Sequence, residues 1–188
     1  AEYGLIEKST EGPLNKAQVV VKGTEDVSLN CAPAVSPDGK NFVFISSRDL
    51  FSIEMFLGDA LTGKITRKLT KTSIDPHFQS IQFIYSAGSW SADGTQFAFG
   101  SVIAGKPALS FLDVGGRRLK DDIVFPHLGE ILNPTWSPDG RKIAFSALTG
   151  GCSDLFIYDL ETQTLLNMTS DPYGDLQPAW SPDGKWIA

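Results

Sequence analysis

Short runs along the chain place an apolar side chain at every second position. "NFVFIS" (41–46), "QFAFG" (96–100) and "KIAFS" (142–146) set Phe42 and Phe44, Phe97 and Phe99, and Ile143 and Phe145 on one face of an extended segment. A period of two is the pattern of a strand with a committed inner face. All such runs are strand-sized, and none approaches the roughly 20 apolar residues needed to span a bilayer.

Each run follows the same punctuation: Ser-Pro-Asp-Gly at 36–39, 137–140 and 181–184, and Ser-Ala-Asp-Gly at 91–94. In this tetrapeptide Pro presets φ for the second position of a tight turn, Asp bonds its local backbone and Gly supplies a positive φ. Ala92 is tolerated, because Pro is favoured there and not required. The turn Asp recurs at Asp38, Asp93, Asp139 and Asp183, at intervals of 55, 46 and 44 residues. A second landmark keeps step with it: apolar strands end on Asp59, Asp113 and Asp159, lying 21, 20 and 20 residues beyond the preceding turn Asp. The strand before each turn carries Trp90, Trp136 and Trp180, with Val35 in the first unit. An indole buries on the order of 200 Å² and, repeated at one register, is suited to packing between neighbouring sheets.

That period predicts an all-β fold, a β-propeller of four-stranded antiparallel blades. Its expected divisions are a lead-in at 1–29 whose "AQVVVKG" reads as the last strand of a preceding blade, blades at 30–85, 86–131 and 132–176, and the start of a further blade at 177–188. Three blades and a fraction make an incomplete ring with open edges, so the expectation is that further polypeptide, or a neighbour, completes it. The absence of an initiating Met agrees with a processed or longer parent.

Composition narrows the function. The chain has 188 residues, 41% apolar, with a net charge of −6 and pI near 4.8. An acidic balance argues against nucleic-acid partners, whose phosphates are held by Lys and Arg. The densest basic group, Arg117, Arg118 and Lys120, reads as a solvated loop. Cys31 and Cys152 make no disulfide framework and lack a CxxC or His partner.

"WSPDG" followed by "IAF", an apolar strand ending in Asp, and short strands such as "ITRKLT" (65–70) and "LLNMT" (165–169) resemble the TolB-type β-propeller repeat over about 30–188. Similar repeats occur in prolyl oligopeptidase-type propellers and in bacterial envelope proteins. The resemblance implies a parent of six to eight blades, a periplasmic or otherwise extracytoplasmic location, and a non-catalytic interaction or structural module with protein partners in a larger complex. Two alternatives stay open. One is the gating propeller of a serine peptidase whose catalytic domain lies elsewhere; the other is small-ligand binding, of a sugar or peptide, in the channel.

Function on a propeller is expected in rim loops, since the strands are committed to the ring. The inter-blade connections are 71–89, 125–133 and 170–178, each with Pro followed by His or Tyr. They would bring Asp75, His77, Phe78, His127, Glu130, Asp171, Tyr173 and Asp175 to one rim for partner binding. The competing reading has the Pro-aromatic pairs plugging gaps between blades. The long first connection, 74–85, is the best interaction segment. No third ligand joins the two histidines, no unit gathers calcium ligands, and "GSWSA" (88–92) lacks the second Gly of a nucleophile elbow. No cofactor, metal or catalytic residue is expected.

Overall fold

A computed structural model describes residue 21 and residues 29–48, 52–71, 80–81, 88–115 and 122–188. Among these the chain is built of strands, with no helix. The first sheet runs β1 (Asn30–Val35), β2 (Asn41–Ser46), β3 (Glu54–Asp59) and β4 (Ile65–Lys68) in order, each antiparallel to the last. The second contains β5 (Ser80–Ile81), β6 (Ser89–Trp90), β7 (Gln96–Ile103), β8 (Lys106–Asp113) and β9 (Ile123–Val124). The third repeats the first with β10 (Ile131–Trp136), β11 (Lys142–Thr149), β12 (Cys152–Asp159) and β13 (Thr164–Asn167). Beyond it, a bridge between Trp180 and Ile187 begins another hairpin.

The Ser-Pro-Asp-Gly stretch is the reversal between the first two strands of each sheet. Gly39 N donates to Ser36 O at 2.9 Å, Ser36 Oγ donates to Asp38 Oδ1 at 2.7 Å, and Asn41 N donates to Ser36 Oγ at 3.0 Å. The same bonds recur around Ser91, Ser137 and Ser181, and Gly39, Gly94, Gly140 and Gly184 all hold φ near 70°. A left-handed residue closes the loop, and Gly adopts that conformation without Cβ strain. Asp59 and Asp159 cap the next reversal, accepting from the backbone N–H of Thr62 at 2.7 Å and of Thr162 at 2.9 Å.

The sheets stack as successive blades of an unclosed ring. The first strands lie beside one another, β1 near β6 and β6 near β10. One apolar layer joins Val43, Ile45, Met55 and Leu57 of the first blade to Trp90, Phe97, Phe99 and Leu112 of the second. The next joins Ala98, Leu109 and Phe111 to Trp136, Ile143, Phe145 and Phe156. Trp90 Nε1 donates to Ala34 O at 2.9 Å, and Trp180 Nε1 to Thr135 O at 3.2 Å, so the indole also ties its blade to the backbone of the preceding one. Burying about 200 Å² per indole contributes on the order of 5 kcal/mol as an upper bound.

The second blade departs from the expected layout. The first strands of blades one and three carry a bulge, with Ala32 and Asn133 at φ 50°. In blade two β5 and β6 both pair with β7, and the break in pairing between Ile81 and Ser89 falls at the register of that bulge. Ser80–Ile81 therefore belongs to the sheet and not to a free connection over 71–89. A bulge already breaks the ladder and bends the strand, so it accepts inserted residues at least cost to the pairing.

Candidate functional site

Antiparallel order sorts the loops between two faces. The Ser-Pro-Asp-Gly turns and the turns after Asp59, Asp113 and Asp159 lie at one end of every blade. The described hairpins between the second and third strands and the connections at 125–133 and 170–178 lie at the other.

Of the residues expected on the connection rim, Asp75, His77 and Phe78 lie outside the described residues, as does most of 74–85. The other two connections clasp the β11–β12 hairpin. Gly129 N donates to Leu148 O at 2.7 Å, Leu148 N to Glu130 O at 3.2 Å, and Asp175 N to Ser153 O at 2.7 Å. Leu148 and Ser153 are cross-strand partners, so Glu130 and Asp175 flank one hairpin from its two sides. Asp171 Oδ1 accepts from Tyr173 N at 2.9 Å, a local turn that leaves the Tyr173 ring 73% exposed. His127 is exposed, and Glu130 and Asp175 are half-buried. Asp175 Oδ2 is buried without a hydrogen-bond partner among the described residues.

The plugging role falls to a residue the sequence reading passed over. Phe125, just before Pro126, is buried against Phe145 at 5.4 Å and Tyr158 at 5.5 Å, whereas His127 is exposed. Leu148 and Leu176 add exposed apolar surface to the rim. An apolar residue in a connection was the available signal for Phe125 and Leu176, whereas Leu148 lies in β11.

The opposite face carries a repeated set of hydrogen-bonded aspartates, with Lys40, Arg141 and Lys185 among them. Ser Oγ–H and backbone N–H donors, in that order of effect, hold Asp38, Asp93, Asp139 and Asp183 below the usual carboxylate range. For Asp59 the Thr62 hydroxyl is the main cause, and for Asp159 the Thr162 backbone N–H. Clefts of about 270 and 340 Å³ separate the second turn from the third and the third from the fourth.

The serines of "GSWSA" serve the scaffold: Ser91 Oγ donates to Asp93 Oδ1 at 2.6 Å, and Ser89 Oγ accepts from Trp136 N at 3.2 Å. Among the described residues no three His, Cys, Asp or Glu side chains gather into a metal-binding group. No helix there is long and apolar enough to cross a membrane. Cys31 and Cys152 are free thiols, and burial pushes the Cys31 thiol upward.

The chain is similar to known proteins over most of its length. A family model described as the TolB beta propeller domain matches residues 78–188. A curated relative, the Tol-Pal system protein TolB of Wigglesworthia glossinidia brevipalpis, is 40% identical over 43 residues, covering 23% of this chain and 10% of that protein. TolB from Acinetobacter baumannii superposes with a TM-score of 0.67 at 25% identity, over 90% of this chain and 39% of that one. A protein assigned as TolB from Agrobacterium tumefaciens gives 0.67 at 20% identity, over 86% of this chain and 54% of that one. This chain thus spans from a tenth to about half of the length of these relatives.

Proposed function

The chain belongs to the TolB beta propeller domain family, and from that premise we propose that it is a non-catalytic docking module of a larger extracytoplasmic envelope complex. The observation that carries the reading is the division of labour between strands and rim. Blade residues are spent on packing, with Phe97, Phe99, Phe145 and Ile143 at 0–1% exposure, while Tyr173, Leu176 and Leu148 stand 73%, 50% and 41% exposed on the connection face. Exposed apolar groups gathered with polar neighbours are the composition of a protein-binding patch.

His127, Glu130, Asp171, Tyr173 and Asp175 make up the described part of the proposed surface, and Asp75, His77 and Phe78 of the same sequence-based set lie outside the described residues. Tyr173 is the anchor, a rigid ring with a polar tip and few rotors to immobilise. The curated relative is named for the Tol-Pal system, which supports an envelope setting and protein partners. The net charge of −6 is consistent with a partner that is not nucleic acid.

Crosslinking of the protein in its own cells, followed by capture, tests the reading. Tyr173→Ala combined with Leu176→Ser should reduce the captured partner at least tenfold while leaving the melting curve in place. Lys40→Ala on the opposite face should not. Equal capture by both variants, or capture from cytoplasmic fractions only, would overturn it.

A further inference from the structure

The repeated turn carries a reactive dipeptide, Asp-Gly, at 38–39, 93–94, 139–140 and 183–184. Gly presents its backbone nitrogen with no Cβ to crowd an approach to the preceding side chain. In the reaction open to this pair, Gly N attacks the carboxylic acid at Asp Cγ. The N–Cγ bond forms, the Cγ–OH bond breaks, and the hydroxyl leaves with the amide proton as water. The succinimide then takes water back at either carbonyl. Addition at Cγ restores Asp, whereas addition at the backbone carbon gives isoaspartate, whose main chain runs through Cβ and Cγ and is one atom longer.

Three features of the folded turn oppose that step. The attacking Gly N–H is already donated to the Ser carbonyl, at 2.9 Å in all four turns. The carboxylate accepts from Ser Oγ–H at 2.6–2.7 Å and from the backbone N–H two residues on at 3.0–3.2 Å. These donors, the Ser hydroxyl first, keep the group ionised, and a carboxylate has no hydroxyl to expel. None of the four Asp residues has a positive φ, so the Gly-to-Ser bond closes a type I turn, whose third residue has ψ of about 0°. Ring closure needs Gly N eclipsed with Asp Cβ, about a third of a rotation away around the Cα–C bond. The turn has to open before the ring can form.

Opening is easiest in blade two. Ala92 stands where Pro37 and Pro138 preset the turns of blades one and three. Losing that restriction raises the open population roughly two- to fivefold. The strand leading into the turn, β6, pairs with β7 only through Ser89 and Trp90, whereas β1 and β10 each pair at four positions. Thr95 Oγ1 gives Asp93 one further donor at 2.9 Å, in an exposed position where water competes for it. We propose that Asp93–Gly94 is the first Asp-Gly pair of these three blades to become isoaspartate, with Ser91 as the residue that restrains it. The added backbone atom falls three residues beyond Trp90, whose Nε1–H ties blade two to Ala34 O of blade one. The site lies on the face opposite the connection rim and stands independently of the docking role proposed there.

The test ages the folded chain at mildly acidic pH and locates isoaspartate by enzymatic methyl-ester labelling and peptide mapping. Asp93 should carry at least roughly threefold more label than Asp38 or Asp139. Ala92→Pro, which supplies the residue of the sister turns, should bring Asp93 down to their level. Ser91→Ala should raise its labelling about fivefold, and should that variant fail to fold, Ala92→Pro decides. In urea the three sites should label alike, since Gly follows each. Equal labelling of the three sites in the folded chain, the same bias towards Asp93 in urea, or indifference to Ala92→Pro would overturn the proposal.

Discussion

The indoles at one register are not energetically equal, because their N–H groups have different fates. Trp90→Phe removes the donor to Ala34 O and leaves a slightly smaller ring against the preceding blade. The expected cost is about 2 kcal/mol, combining a lost hydrogen bond with reduced packing. Trp136→Phe deletes a donor without a partner among the described residues, so its cost should be smaller by about 1 kcal/mol. Urea denaturation of the two variants measures the difference, and equal losses would mean that the indole–carbonyl bond contributes nothing to blade stacking. Gly58 makes a second argument at this scale. A Cβ there would fall 2.5 Å from Phe42 Cζ, inside the layer formed by Phe42, Phe44 and Phe56. Gly58→Ala must displace a packed ring and is expected to cost about 1–3 kcal/mol, read as a lower urea midpoint with an unchanged slope. Gly140→Ala meets no atom within 4 Å and is strained only by its φ of 71°. The two glycines thus separate crowding from conformation.

The turn is the element whose chemistry responds to pH. In the folded chain Asp38, Asp59, Asp93, Asp139, Asp159 and Asp183 all titrate below their ordinary value, chiefly through hydroxyl and backbone donors. The unfolded chain therefore binds more protons between the ordinary Asp value near 3.9 and the lower folded values. Stability from these turns is complete above that window and falls as pH drops through it. Thermal melts should be insensitive to these groups at pH 6–8 and decline below about pH 4. Asp139→Asn should flatten part of that decline, because Asn keeps an acceptor without the titration. Salt should change little, since the Lys40–Asp38 and Lys185–Asp183 pairs at 3.7 and 3.6 Å are solvent-exposed. These turns were readable from four residues because their bonds are local. The split first strand of blade two was not, since Ser80–Ile81 is defined by pairing with Val102 and Ser101, some twenty residues away. The same holds for Phe125, whose burial depends on Phe145 and Tyr158 from two other strands. The rim was legible only as a set of connections. Which of its side chains stand free, Tyr173 and not Phe125, depends on tertiary contacts that no periodicity encodes.

At the scale of the molecule, repetition gave the architecture away, and repetition also makes its two ends complementary. Phe97 and Phe99 of the second blade are covered by Val43 and Ile45 of the first. Their counterparts Phe42 and Phe44, 6% and 2% exposed with Val21 packed against them, line an apolar cleft of about 330 Å³ together with Pro33 and Val35, and Val35 is 60% exposed. At the other end Leu155 and Ile157 are half-buried, although Met55 and Leu57, which hold their registers in the first blade, are 0% and 9% exposed. The front of the first blade therefore matches the rear of the third as the front of the second matches the rear of the first. A surface that repeats its own internal interface associates head to tail, and such contacts either close a ring or continue into open chains. The 188-residue chain expressed alone should accordingly sediment faster as its concentration rises. Val35→Glu, at the exposed lip of the cleft, should hold it monomeric without lowering its melting temperature, since that side chain is not buried in the single chain. Concentration-independent sedimentation of the unmodified chain would show that the leading face is already covered, and that the match between its two ends has no consequence in solution.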